Sequence, residues 1–131
     1  MFSKFINLWK SDGQNHLQTP KEVNIIFELS YKNTKIGYLS LANGIWKYNY
    51  SEEFKNQSSL LALTDFPDKN KIYEGQDLWP FFLSRIPGLG QPKVQEIIKK
   101  ENIQEDDEVS LLKFFGKRTI ANPYTLEPSL V

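Results

Sequence analysis

The sequence predicts an α+β domain in which a small antiparallel sheet comes first, as an N-terminal meander, and three C-terminal helices pack on one of its faces. Three observations lead there. Apolar and polar residues alternate between Val23 and Tyr50, Asn43-Gly44 separates two of the alternating runs, and three stretches with helical spacing follow Gln76. A chain that runs through its strands before its helices favours a sheet covered on one side.

Val23, Ile25, Phe27 and Leu29 alternate with Asn24, Glu28 and Ser30, the two-residue period of a half-buried strand; Ile26 is the exception. Lys35–Leu41 is β-rich, and the short Lys32-Asn33-Thr34 step lets it pair back as a hairpin. Asn43-Gly44 suits a type I′ turn, whose central residues both need positive φ. In the third strand Trp46, Tyr48 and Tyr50 share one face, with Ile45, Lys47 and Asn49 on the other.

Ser51 reads as the N-cap of a single helical turn, because Glu52 and Glu53 suit the positive end of a helix dipole. Leu60–Leu63 reads as a further short strand and Asp65–Gln76 as a loop punctuated by Pro67 and Gly75. Asp77–Ile86 spaces Leu78, Phe81, Phe82 and Ile86 for one helical face, with Pro80 tolerated in the first turn. Gln91–Asn102 begins with Pro92 and sets Val94, Ile97 and Ile98 at i, i+3, i+4. Asp106–Phe115 opens on acidic residues, aligns Val109, Leu112 and Phe115, and stops at Gly116, a residue suited to the C′ position.

The 131 residues divide into an N-terminal extension and tether at 1–22 and one domain at 23–131, since Ser11–Glu22 is polar, aperiodic and broken by Gly13 and Pro20. With 40% hydrophobic residues the chain can bury a core without disulfides, and it has no cysteine to make them. Sixteen basic residues balance sixteen acidic ones, which argues against a surface tuned as a whole to nucleic acid or anionic lipid. No apolar run reaches the roughly 18 residues of a membrane span. Phe2, Phe5, Ile6 and Trp9 form a short apolar stripe that suits docking on the domain, on a partner or on a membrane surface. The run is too interrupted for a signal peptide, so the cytoplasm is the expected compartment.

Signals for catalysis are thin. His16 is the one imidazole and stands in the tether, where nothing orients it. Glu105-Asp106-Asp107-Glu108 lacks the spacing of a calcium loop, and a helix start explains its charges. No phosphate-binding loop, nucleophile elbow or kinase signature occurs, so no catalytic residue, metal or cofactor is expected. Ile86-Pro87-Gly88-Leu89-Gly90-Gln91-Pro92-Lys93 resembles the turn of a helix-hairpin-helix module, whose backbone amides approach a DNA phosphate, with Lys99 and Lys100 nearby. Aromatic residues make up 14% of the chain, more than a small core uses easily, and the surplus suits a protein interface. Phe66 and Tyr73, on a loop full of charges, are the rings expected to face outward.

Ile36-Gly37-Tyr38-Leu39-Ser40-Leu41, Asn43-Gly44 with Ile45–Tyr50, Leu60–Leu63, Phe81-Phe82 with Ile86-Pro87, and Leu111-Leu112-Lys113-Phe114-Phe115-Gly116 together resemble the first N-terminal subdomain of HipA-type toxin kinases. The pattern runs G-x-L, F-x-Y, an S-L-leading strand, F-F-x-x-L-L-P and D-x-x-x-L-L-x-x-x-G, and it extends over about ninety residues, Ile36 to Leu126. The family then continues with G-x-D-x-x-G-A and a closing strand, whereas this chain has Gly116-Lys117-Arg118-Thr119-Ile120-Ala121-Asn122.

In that family the subdomain precedes a serine/threonine kinase body and carries no catalytic residue. The resemblance to free-standing versions, such as the HipS component of HipBST-type toxin–antitoxin modules, implies an antitoxin or regulatory subunit that binds and restrains a HipA/HipT-like kinase in trans. It leaves room for a helix-turn-helix DNA-binding partner joining through the complex, with no direct nucleic-acid contact expected. The partner surface is expected at Phe66, Tyr73, Trp79, Arg85 and Lys93. DNA binding through residues 86–93 is the alternative.

Overall fold

The computed structural model describes residues 17–129; Phe2, Phe5, Ile6, Trp9 and His16 lie outside them. A five-stranded, wholly antiparallel sheet is built from β1 (Ile25–Tyr31), β2 (Thr34–Ala42), β3 (Ile45–Tyr50), β4 (Tyr73–Gly75) and β5 (Thr125–Pro128), in the order β4-β3-β2-β1-β5. Among the described residues four helices accompany it: α1 (Glu52–Lys55), α2 (Pro80–Leu83), α3 (Pro92–Lys100) and α4 (Glu108–Phe115). The chain is an α+β domain, as its strand-then-helix order predicts.

The β1–β3 meander follows the sequence pattern closely. Phe27 and Leu29 of β1, Leu39 and Leu41 of β2, and Trp46, Tyr48 and Tyr50 of β3 all turn to one face and are buried. Asn43 and Gly44 both hold positive φ, 54° and 75°, which makes the two-residue turn the dipeptide predicts. Between Leu29 and Ser30 the register slips, so Leu29 faces Gly37 while Ser30 faces Lys35 and Ile36 is the extra residue. The slip buries Ile36 and Gly37 together. Gly37 is required there, because a Cβ would land on the Tyr48 hydroxyl and 2.7 Å from the Asn49 carbonyl oxygen.

Each helix end is set by local chemistry. Ser51 Oγ accepts from the Phe54 amide at 3.0 Å, the predicted cap of α1. Asp107 caps α4, accepting from the amides of Val109 and Ser110. α3 ends two residues before the predicted Asn102, which takes φ 53° while Asn102 and Ile103 donate to the carbonyls of Lys99 and Ile98. That pair of bonds is a Schellman stop. Gly116 follows α4 with φ −82°, so it is not the left-handed residue expected at C′; it is needed because a Cβ would sit 2.5 Å from the Leu112 carbonyl oxygen.

Three predicted elements change, the first being the Asp65–Gln76 loop, which holds β4 because Tyr73–Gly75 pairs with β3. The helix expected over Asp77–Ile86 shrinks to the single turn α2, since Arg85 and Ile86 donate three residues back, to Phe82 and Leu83, and Pro87 follows. Leu60–Leu63 is no strand: the Leu60 amide donates to Gln57 Oε1 and the Leu63 amide to the Tyr50 hydroxyl, both at 2.8 Å, so side chains claim the donors a ladder would need.

The core joins the covered face of the sheet to Phe54, Phe66, Leu78, Phe82, Leu83, Ile86, Leu89, Val94, Ile98 and the α4 residues Val109, Leu111 and Leu112. Leu17 joins the same core, and Gln18 bridges to Asp107. Beside it Thr19 accepts a hydrogen bond from Trp46 Nε1 at 3.0 Å and donates one to Glu108 Oε1 at 2.5 Å.

Candidate docking surface

The five residues expected to form a partner surface fall into three places. Phe66 is 0% exposed, a correction to the outward orientation its charged neighbours suggested. Its ring stacks on Tyr48 at 4.2 Å between centroids and meets Tyr73 and Trp79 edge-on at 5.1 and 5.0 Å. A ring with that much apolar area belongs in the core, and charged residues flank it because the loop crosses the surface on either side. Tyr73 and Trp79 are half-buried around it, the Tyr73 hydroxyl accepting from the Asp68 amide at 2.8 Å.

Arg85 is 2% exposed, so it too departs from the surface expected of a charged residue. Its Nη1 donates to the carbonyls of Gly116 and Lys117 at 2.7 and 3.2 Å, and its Nη2 to Asn122 Oδ1 and the Tyr124 carbonyl at 3.0 and 2.8 Å. The guanidinium also lies over the Phe81 ring at 5.7 Å. Burial pulls its pKa down to about 10, still far above neutrality, so the group is charged. Four oxygen acceptors answer that charge, and Nε is left without a partner.

Lys93 stands exposed in the first turn of α3. The turn before it does not form the helix pair that a helix-hairpin-helix module needs: α2 is one turn long, and Leu89, between the two glycines, is buried in the core. The segment is a packed connection.

Large apolar groups that face solvent include Leu61 and Ile72, neither of which the sequence pattern singles out. Leu61 is 85% exposed and Ile72 62%. Leu61 is not a loose side chain on a loose loop. Gln57 fastens Leu60 in front of it, accepting from the Leu60 amide and donating to the Leu60 carbonyl at 3.1 Å. Tyr50 fastens the backbone beyond it, its hydroxyl accepting from the Leu63 amide and donating to the Phe66 carbonyl at 2.6 Å. Asp65 Oδ2 then accepts from the Phe81 amide at 2.9 Å, fixing the loop to α2. Burial raises the Tyr50 hydroxyl to about 12, so it stays protonated and can both donate and accept. Leu61 itself stands on the wall of an open groove of about 430 Å³, whose lining includes Thr64, Asp65, Pro80, Phe81 and Tyr124.

Among the described residues no group of three or more His, Asp or Glu side chains could hold a metal ion, and no helix is long and apolar enough to cross a membrane. In the acidic run Asp107 is engaged as a helix cap and Glu108 with Thr19.

Residues 27–121 match the family model described as the HipA N-terminal domain. No curated protein matches the chain at a significant level. The matched domain is HipA's N-terminal one and not its kinase catalytic domain. The match begins within β1, takes in the fastened loop, all four helices and most of the segment held by Arg85, and so covers well over half of the sequence: the chain belongs to the HipA N-terminal domain family.

Proposed function

We propose that this protein is a non-catalytic binding subunit that docks on a HipA/HipT-like serine/threonine kinase and restrains it, as an antitoxin or regulatory component in the cytoplasm. The observation that carries the reading is the rigid presentation of Leu61. Burying a large apolar side chain against a partner stabilises a complex only by what remains after ordering costs. Here the backbone around Leu61 is already ordered by Gln57, Tyr50 and Asp65, so little further entropy is lost on docking. An exposed leucine on the wall of a groove that Pro80, Phe81 and Tyr124 also line has the character of an interface centre. Family membership supplies the kind of partner, because the domain's place in HipA is beside a kinase.

Of the residues first expected to touch the partner, Tyr73 and Trp79 act in this proposal by supporting the loop, Phe66 as its buried anchor and Arg85 as an internal brace. Lys93 stays a solvent-facing candidate for a peripheral contact. The test is to mix the purified chain with the HipA-type kinase of the same genome and measure binding and autophosphorylation. Complex formation with reduced phosphorylation is expected; a kinase that neither binds nor slows would end the proposal.

A further inference from the structure

The loop held by Arg85 ends in a side chain with no structural task. Ile120 is 108% exposed, so its whole β-branched side chain stands in water. The loop's two ends are drawn together at the guanidinium, which binds Gly116 and Lys117 on one side and Asn122 and Tyr124 on the other. The Lys117 carbonyl also accepts from the Leu126 amide at 2.9 Å. Above this base, Thr119 Oγ1 accepts from the Ala121 amide and Asn122 Oδ1 from the Tyr124 amide, at 3.2 and 3.1 Å. Among the described residues no carboxylate is paired with this buried cation, which makes it a costly way to close a loop. A free loop would need no such brace.

The tip's own residues, Lys117–Ala121, carry charge of one sign. From Val109 to Leu126 the sequence contains no acidic residue, while Lys113, Lys117 and Arg118 are all exposed. Glu127 reaches Lys117 at 3.5 Å, which leaves Arg118 nearest the isoleucine as a cation directed to solvent. One apolar knob beside arginine complements an apolar pocket rimmed by carboxylates. A single isoleucine is too little apolar area for a membrane, and so few cations are too few for a duplex backbone.

We infer that the Lys117–Ala121 tip is a second docking element, in which Ile120 enters an apolar pocket of the partner protein and Arg118 meets the acidic rim of that pocket. The inference rests on the kinase-binding reading above. Its test is calorimetric titration of the kinase with the full chain and with Ile120→Ser and Arg118→Glu, at low and at moderate salt. Both substitutions are on the surface, and unchanged circular dichroism and melting will show that the fold is kept. Each is expected to weaken binding about tenfold, and Arg118→Glu to flatten its salt dependence as well. Wild-type affinity in both variants would overturn this inference alone. No binding by the unaltered chain would overturn it together with the kinase-binding reading. Binding to anionic vesicles or duplex DNA that depends on Ile120 and Arg118, with none of that dependence toward the kinase, would overturn the choice of a protein partner.

Discussion

The Tyr50 hydroxyl donates to the Phe66 carbonyl at 2.6 Å while accepting from the Leu63 amide at 2.8 Å, so one phenol from the sheet closes the loop that carries Leu61. Tyr50→Phe keeps the ring stacked on Phe54 at 4.5 Å and removes both bonds. It leaves a buried amide and a buried carbonyl unsatisfied, which costs about 2 kcal/mol. Urea denaturation will check the magnitude, and hydrogen exchange will show whether the Leu63 amide loses protection first.

The same hydroxyl predicts a pH dependence. Its pKa rises from the ordinary tyrosine value of 10.0 to about 12 on folding because burial disfavours the phenolate. The folded state therefore holds its proton where the unfolded state releases it, and the contribution is complete below pH 10 and is lost as pH rises toward 12. Stability followed from pH 9 to about 11 should fall less steeply in Tyr50→Phe than in the unaltered chain.

Tyr48 makes the opposite case. Its hydroxyl is buried with no partner and lies where a Cβ on residue 37 would go. Tyr48→Phe removes an unsatisfied group and should leave stability unchanged or raise it by up to about 1 kcal/mol. Gly37→Ala should cost more than about 2 kcal/mol, on the scale of a serious overpacking. The double substitution should recover only part of that loss, since the Asn49 carbonyl stays 2.7 Å from the new methyl. Thermal unfolding of the three variants decides the cycle.

Arg85 is the brace of the C-terminal segment. Arg85→Ala takes the donor from the Gly116 and Tyr124 carbonyls, while the Lys117 carbonyl and Asn122 Oδ1 keep the Leu126 and Tyr124 amides, and it opens a cavity, at a cost of about 3 kcal/mol. Exchange protection should be lost first in β5, which is four residues long, and last in β2, which is paired on both sides. Uniform loss across the sheet would contradict the role assigned to the guanidinium.

The sheet was legible where side chains alone set the outcome. Phe27, Leu29, Trp46, Tyr48 and Tyr50 announce a covered face by alternation, and Asn43-Gly44 names its turn. β4 and β5 were not legible, because strands of three and four residues carry too few alternations to stand out and exist by pairing with β3 and β1. The candidate site misled for a related reason. A charge next to a ring suggests solvent, yet Phe66 is fixed by distant partners, Tyr48 and Tyr50, that no local pattern displays.

Arg85 differs from the pattern on which the resemblance rests. It stands where F-F-x-x-L-L-P has its first leucine, and Asn122 stands where G-x-D-x-x-G-A ends in alanine. The two meet at 3.0 Å, and the closing strand forms after them as β5. Neither replacement explains itself in isolation. Leu61 escaped notice because Leu60–Leu63 looks like strand core, and only the side-chain bonds of Gln57 and Tyr50 turn its middle outward.

The central claim is that Leu61 is held ready for a kinase partner, and the affinity of Leu61→Asp for the HipA-type kinase of the same genome tests it most directly. At 85% exposure the residue contributes little to the fold, so the variant should melt within about 0.5 kcal/mol of the unaltered chain. Binding should weaken by about 2 kcal/mol or more, roughly thirtyfold, with kinase activity restored in step. Undiminished binding by a folded Leu61→Asp chain would contradict the account.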